Sequence, residues 1–286
     1  MKLSRDYLEF QADRLEAVLS AHRVSARVSG GTVSPRWVRF DINTAAGSKV
    51  GTLRNLSEEI AMALGTDEAR VTRKGAALAI EVPRPDPQAV TLGGVLDGLQ
   101  QLPRATAVLG LSELGRPLLV RLPSPTVAHI LVAGTTGSGK TELMRTLILS
   151  LALTNRPAWV QLLLIDPKGR GFAPLQHLPH LLGPVITNPE QAVARLMHLV
   201  DEMTRRDQLR ICEPRIVVAV DEVPDLLMHG GPKVLHALTR LAQRGREAGI
   251  HLVLGAQKPA SSVFDGQLKA NFPVRLVGRT TSADEA

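Results

Sequence analysis

The sequence predicts an α/β fold in which a mostly parallel sheet follows a small α+β domain. Beyond Ala105, apolar runs alternate with helical stretches, as expected for parallel strands whose crossover helices cover both faces of the sheet. The proline-rich residues 83–87 separate this pattern from a mixed one before it. We therefore predict an N-terminal amphipathic helix in residues 1–30, a small α+β domain in residues 31–102 and a larger α/β domain in residues 103–286.

The first part of the chain contains helical and strand-like patterns. Apolar residues at helical spacing predict an amphipathic helix in residues 2–22 that packs on a neighbouring element. Residues 37–42 and 77–82 are typical of strands, and residues 57–64 are typical of a helix that Gly65 ends.

The second part predicts the parallel sheet. Its apolar runs are residues 130–133, 160–165, 216–220, 251–254 and 274–277. A helical pattern over residues 142–153 follows the first run. In open sheets of this kind the ligand binds at the carboxyl ends of the strands, so we expect the functional site there.

A glycine-rich loop directly follows the first of these strands. Residues 134–141 match G-x-x-x-x-G-K-[ST], which between a strand and a helix predicts a phosphate cradle of a nucleotide triphosphatase. Lys140 would reach the β- and γ-phosphates of ATP, and the Thr141 hydroxyl would ligate Mg²⁺. The predicted cofactor-binding residues are Gly134, Thr135, Thr136, Gly137, Ser138, Gly139, Lys140 and Thr141.

A pair of carboxylates ends another apolar run. Asp221 follows residues 216–220 and would hold the Mg²⁺, while Glu222 is placed to act as the general base on the attacking water. Alone, the pair is more typical of a solvated acidic turn, but the glycine-rich loop favours the catalytic interpretation.

Composition is that of a large enzyme domain, with 44% hydrophobic residues. The one cysteine, Cys212, excludes an intrachain disulfide and is interpreted as an inert buried thiol. No signal peptide or membrane segment is recognised, which predicts a cytoplasmic protein. His177 and His180 have no partner at metal-ligand spacing, which argues against zinc.

The charge balance is basic, with 34 Lys and Arg against 27 Asp and Glu, a net charge of +7. This favours nucleic acid or an acidic surface as a partner, although solvated lysines are the commoner explanation. Aromatic residues make up 3% of the chain. Because single strands usually stack on aromatic side chains, a nucleic-acid partner would be duplex, held by its phosphates.

Taken together, these motifs resemble the DNA-pumping motors of the FtsK/SpoIIIE family, within the HerA group of ATPases. The matching stretches are residues 34–83, 130–141, 164–168, 178–182, 217–227, 246–253 and 269–275. The resemblance implies a RecA-like P-loop ATPase domain that assembles as a hexameric ring. Such a ring would hydrolyse ATP at subunit interfaces and move double-stranded DNA through a central channel.

The resemblance also implies roles for further residues. Gln257 matches the polar residue that senses the γ-phosphate, and a glutamine that satisfies backbone groups is the alternative. Arg246 is the candidate for the arginine supplied to the neighbouring site, with Arg244 as its rival and a plain surface arginine as the alternative for both.

Two groups of basic residues are candidates for contact with DNA. Lys168 and Arg170 occupy a glycine-flanked turn that would face the channel, with a solvated loop as the alternative. A second basic cluster is interpreted as the exposed end of a helix; it consists of Arg205, Arg206 and Arg210.

The chain departs from the family pattern in two places. It passes almost directly from Arg210 into the acidic strand, and it stops at residues 282–286, short of the last motor elements and the winged-helix module, as a C-terminally truncated member would. Without a recognised anchor, a plasmid, phage or mobile-element motor is favoured over a septum-bound one. The alternatives are a protein-export ATPase of the type VII secretion kind and a non-hydrolysing scaffold.

Overall fold

The computed structural model describes residues 3–44, 50–75, 77–257, 268 and 270–280. The chain forms two compact units, one from Met1–Val95 with Gly110–Pro117 and the other from Leu96–Leu109 with Leu118–Ala286. Lys269 and residues 282–286, on which part of the family resemblance and the predicted truncation rest, lie outside the described residues.

The first unit is built on a four-stranded antiparallel sheet. Its strands lie in the order β1-β2-β4-β3. They are β1 (Ala26–Val33), β2 (Trp37–Thr44), β3 (Arg70–Lys74) and β4 (Ala77–Pro83). The helices of this part of the chain are α1 (Arg5–Ala21), α2 (Val50–Asn55), α3 (Ser57–Leu64) and α4 (Leu92–Asp97).

Local sequence signals explain the two main helices. The Ser4 side chain accepts a hydrogen bond from the Tyr7 N–H at 3.2 Å and so caps α1. Gly65, with φ of 68°, ends α3 as predicted. Leu15 and Leu19 of α1 are fully buried in the core of this unit, which confirms the predicted packing face.

The strand β1 was not predicted, and the predicted domain boundary at residue 30 falls inside it. Its burial does not alternate, since most of its residues are exposed. The register shifts between Val28 and Gly30, where a β-bulge interrupts the pairing with β2. These features remove the period-two pattern by which a strand is recognised.

The second unit contains a five-stranded parallel sheet, and the predicted fold class is confirmed. The strand order is β11-β7-β10-β9-β8. The strands are β7 (Ile130–Ala133), β8 (Val160–Ile165), β9 (Arg215–Val220), β10 (Ile250–Ala256) and β11 (Val274–Val277). All five coincide with the predicted apolar runs to within two residues. A separate two-stranded sheet is formed by β5 (Thr106–Leu111) and β6 (Pro117–Arg121).

Three long helices cover the parallel sheet. They are α5 (Lys140–Thr154), α6 (Pro189–Leu209) and α7 (Val223–Arg244), which is kinked at Gly231, where the backbone is not helical. Side chains of α6 and α7 join the hydrophobic cluster that contains Val218 of β9, whereas side chains of α5 join the cluster that contains Val217. Neighbouring residues of a strand point to opposite faces, so both faces of the sheet are buried and its strands are apolar throughout.

Two details differ from expectation. The helix after the glycine-rich loop begins at Lys140, two residues earlier than predicted. Cys212 is partly exposed, so its interpretation as a buried thiol is wrong.

Within the described ranges, no helix combines the length and the apolar character needed to cross a membrane.

Candidate active site

The glycine-rich loop lies between β7 and α5, at the carboxyl edge of the parallel sheet. Gly137 and Gly139 have φ of 80° and 88°, a left-handed conformation that side-chain-bearing residues rarely adopt. Gly134 packs so closely on the Ser138 side chain that a Cβ atom there would collide with it. The loop leads directly into the N-terminus of α5. There, free N–H groups and the helix dipole favour the binding of an anion.

Neighbouring strands hold the loop through their backbones. The Gly134 N–H donates to the Ala256 carbonyl at 3.2 Å, and both the N–H and the hydroxyl of Thr135 donate to the Arg279 carbonyl at 3.0 Å. Gly278 N–H donates to the Ala133 carbonyl at 2.8 Å. Sequence reasoning missed the segment after β11, because a main-chain contact leaves no residue-type signal.

The two predicted carboxylates lie at the end of β9, directly beside the loop. Lys140 Nζ lies 3.0 Å from Asp221 Oδ1 and 3.5 Å from Glu222 Oε2. The side chains of Lys140, Asp221 and Glu222 are only 8%, 11% and 6% exposed. The fold thus brings Lys140 next to Asp221, 81 residues further along the chain, and to the adjacent Glu222, and it leaves all three side chains little exposed.

Two side-chain oxygens that could bind a metal ion lie together beside Lys140. The Thr141 hydroxyl donates to Asp221 Oδ1 at 3.1 Å. Hydroxyl and carboxylate oxygens are ligands that suit Mg²⁺, which is usually bound by one or two protein oxygens together with phosphates and waters. The predicted pair of metal-binding residues therefore fits the ion in type and in position.

Glu222 is also tied to the strand beside it. The Gln257 N–H donates to Glu222 Oε1 at 3.2 Å, and Gln257 follows β10 at the carboxyl edge of the sheet. These groups surround a cavity of about 320 Å³. It is lined by Thr135, Thr136, Gly137, Gly139, Lys140, Thr141, Glu142, Lys168, Asp221, Glu222 and Gln257.

The turn after β8 completes this edge of the site. Asp166 is fully buried and accepts the N–H groups of Gly169 at 3.1 Å and Phe172 at 3.0 Å. Arg145 of α5 donates to the carbonyls of Arg170 and Gly171 at 3.0 and 2.5 Å. The roles of Asp166 and Arg145 were missed. Asp166 carried a usable signal, since it follows a buried strand as Asp221 does.

The two candidate DNA-contacting residues of this turn, Lys168 and Arg170, lie in different surroundings. Lys168 lines the cavity, and its Nζ lies 3.0 Å from Asp225 Oδ2. The hydrogen bond to Asp225 raises the pKa of Lys168 above its ordinary value, and the charges of Glu222 and Asp221 act in the same direction. Arg170 is exposed, with its carbonyl bound by Arg145.

The candidate trans arginines lie at the other edge of the sheet. Arg246 precedes β10, so it is at the amino edge, whereas the loop and the acids are at the carboxyl edge. Its nearest carboxylate is Glu247 at 3.6 Å. Arg244, at the end of α7, pairs with Asp207 at 2.7 Å. Neither reaches the cavity of its own chain.

The interpretation of the second basic cluster as an exposed helix end is wrong for Arg206. This side chain is buried, 4% exposed, and donates to Glu202 and to the carbonyls of Pro214 and Ala248. Arg205 is exposed and pairs with the same Glu202. The hydrogen bond from Arg205, reinforced by Arg206, lowers the pKa of Glu202 to about 2.

Histidines do not form a metal site in the described part of the chain, where no group of three or more His, Cys, Asp or Glu side chains is arranged to hold an ion. His180 is buried, with Nε2 2.8 Å from the Asn155 carbonyl. Its setting is that of a packed side chain.

Comparison with known families adds independent information. The model of the FtsK/SpoIIIE family matches residues 100–211 and 206–261, and the model of the FtsK alpha domain matches residues 1–84. The DNA translocase FtsK of Corynebacterium glutamicum is 33% identical over 319 residues, which cover all of this chain and 35% of that protein. The DNA translocase FtsK of Halalkalibacterium halodurans is 33% identical over 99% of this chain and 40% of its own length. The chain thus spans little more than a third of the curated relatives it matches.

Solved structures share the fold. The monomer form of the pCW3 conjugation coupling protein TcpA, with ATPγS, superposes with a TM-score of 0.60 and 21% identity over 96% of this chain and 85% of that one. The cytoplasmic domain of the Thermomonospora curvata type VII secretion ATPase EccC gives a TM-score of 0.55 and 27% identity over 69% of this chain and 26% of that one.

Proposed function

This chain belongs to the FtsK/SpoIIIE family, and from that membership we propose that it is an ATP-driven motor that translocates double-stranded DNA. The observation that carries the proposal is the convergence of Lys140, Thr141, Asp221 and Glu222 on one cavity at the carboxyl edge of the sheet. The names of the curated relatives support DNA as the polymer.

Binding of ATP rests on the glycine-rich loop. The N–H groups of residues 134–141 would cradle the phosphates, and Lys140 would exchange its contacts with Asp221 and Glu222 for phosphate oxygens. Thr141 and Asp221 would hold the Mg²⁺ that accompanies the nucleotide. That ion would neutralise charge on the β- and γ-phosphates.

Hydrolysis needs a positioned water. Glu222 is the general base in this proposal, because its carboxylate is fixed from two sides, by Lys140 and by the Gln257 N–H. Gln257 follows β10 beside this carboxylate, where its side chain would sense the γ-phosphate.

A ring explains the distance of Arg246 from its own cavity. In a head-to-tail assembly, the amino edge of one subunit can meet the carboxyl edge of the next. Arg246, or its rival Arg244, would then supply a guanidinium to the neighbouring γ-phosphate. We propose a hexamer, whose size sedimentation analysis with ATPγS would measure.

The test is steady-state ATP hydrolysis by the purified chain with and without long duplex DNA, at low and moderate salt. Stimulation by duplex, abolished in Lys140→Ala, is expected for a DNA motor. The similarity to EccC is the reason to test the type VII alternative as well. An ATPase that duplex DNA does not stimulate, but that a secretion-signal peptide does, would support that alternative. Turnover that is absent under every condition would support the scaffold.

A further inference from the structure

Resting on the proposed ATPase function, the geometry points to Lys168 as a second lysine of the nucleotide cavity: we propose that it exchanges its ion pair with Asp225 for a contact with the terminal phosphate of ATP. This reassigns a residue that the sequence placed among the DNA contacts. It also gives Asp225 a role that neither the motifs nor the resemblance assigned.

The backbone that carries Lys168 is fixed on both sides. Asp166 is fully buried and accepts the N–H groups of Gly169 and Phe172 at 3.1 and 3.0 Å. Arg145 donates to the Arg170 carbonyl at 3.0 Å. Since Arg145 belongs to α5, whose first residue is Lys140, the turn is connected directly to the helix that begins at the phosphate loop.

The side chain of Lys168 lies within reach of the reacting groups. It lines the same cavity of about 320 Å³ as Lys140, Glu222 and Gln257. Its Nζ lies 3.0 Å from Asp225 Oδ2, and Asp225 is in the first turn of α7, three residues beyond Glu222. The Lys168 side chain is 49% exposed, so it can turn without disturbing the core.

Charge makes the exchange of partners reasonable. A lysine is cationic at neutral pH, and the hydrogen bond to Asp225 raises the pKa of Lys168 further above that range. ATP carries its extra negative charge on the terminal phosphate, and ammonium-to-phosphate hydrogen bonds are stronger than neutral ones. When Lys168 leaves, Asp225 remains next to the N-terminus of α7, whose dipole stabilises a carboxylate. The contact therefore favours ATP over ADP.

The experiment compares Lys168→Ala with Arg170→Ala, a matched control from the exposed part of the same turn. Dissociation constants for ATPγS and for ADP are measured with Mg²⁺, together with affinity for duplex DNA. We expect Lys168→Ala to weaken ATPγS binding about tenfold and ADP binding less than about twofold, with DNA affinity unchanged. Arg170→Ala should leave both nucleotide constants at the wild-type value.

Two further variants separate a phosphate contact from a structural one. Lys168→Arg keeps the charge and should restore most of the preference for ATPγS. Asp225→Asn removes the competing carboxylate charge and should leave ATPγS binding as tight as in the wild type, or tighter.

Equal weakening of ATPγS and ADP by Lys168→Ala, or loss of DNA affinity with unchanged nucleotide binding, would overturn the assignment. Failure of the wild type to bind ATPγS would instead overturn the proposed function on which it rests.

Discussion

Glu222 is held from two sides, and this makes its substitution a clean test of the general base. The Gln257 N–H donates to Oε1 at 3.2 Å, and Lys140 Nζ lies 3.5 Å from Oε2. In Glu222→Gln the amide oxygen still accepts a hydrogen bond, but the group no longer takes a proton. We expect hydrolysis to slow about 10²-fold or more while ATP binding persists, as measured by steady-state turnover and nucleotide titration.

The matched control is Glu190→Gln, which changes an exposed carboxylate in the first turn of α6. It should leave turnover at the wild-type rate. If Glu222→Gln hydrolyses ATP as fast as the wild type, Glu222 is not the base.

Lys140 is the proposed phosphate-binding lysine, and it also neutralises the two carboxylates of the site. Its ammonium is the partner of both Asp221 and Glu222, and all three side chains are largely buried. Lys140→Ala should weaken ATP binding by at least about tenfold, because a charge-assisted contact to phosphate is lost. Isothermal titration measures the effect, and Lys233→Ala, at an exposed lysine of α7, is the control. Unchanged affinity in Lys140→Ala would contradict the phosphate cradle.

The end of α6 shows how two adjacent arginines differ. Arg206 is buried and joins its helix to the carbonyls of Pro214 and Ala248 at 2.7 and 3.1 Å, whereas Arg205 makes an exposed ion pair. We expect Arg206→Met to lower the free energy of unfolding by about 2–3 kcal/mol, because buried carbonyls lose a charged donor. Arg205→Met should change it much less, because an exposed ion pair contributes little to stability. Urea denaturation of both variants gives the comparison, and equal effects would refute the distinction.

Strands β7 and β10 meet at a pair of buried histidines. Burial, the charge of His251 and that of Arg246 lower the pKa of His129 to about 3. Burial is also the main reason why the pKa of His251 falls to about 4, with Arg215 and Arg246 adding to it. His129 Nδ1 accepts the Leu252 N–H at 3.0 Å, which requires an unprotonated nitrogen at that position.

This pair predicts a loss of stability in mild acid. The unfolded chain takes up protons near pH 6.5, whereas the folded chain takes them up only near pH 3–4, so stability is full above pH 6.5 and falls as the pH drops. Each imidazole contributes a loss of roughly 2 kcal/mol between pH 7 and pH 5. Urea denaturation at the two pH values measures it. His251→Gln should reduce the pH dependence, whereas His236→Gln, at an exposed position, should not.

For the whole molecule, the sequence predicted the parallel sheet and its ligand edge because both depend on patterns local to the chain. Apolar runs located all five strands, and the glycine-rich loop and the Asp221–Glu222 pair located the cavity. The strand β1 escaped because its exposed residues carry no alternation.

Contacts between segments that are distant in the sequence could not be predicted from local sequence patterns. Arg206 lies in a polar, charged stretch that is typical of a solvated helix end, yet its partners Pro214 and Ala248 come from later segments. Lys168 looked like any loop lysine until the fold placed it opposite Asp225. Burial and pairing of this kind depend on tertiary structure.

The basic balance of the whole chain, +7, bears on the proposed DNA partner. If the protein grips duplex DNA through phosphates, each contact releases counterions, so the logarithm of the affinity falls linearly with the logarithm of the salt concentration. For roughly 6–10 such contacts, the affinity for a long duplex should fall about 10³–10⁵-fold between 50 and 200 mM salt. Fluorescence anisotropy with labelled duplex measures the slope, and melting curves at both salt concentrations control for unfolding. A complex that is insensitive to salt while the protein stays folded would contradict binding of duplex DNA through its phosphates.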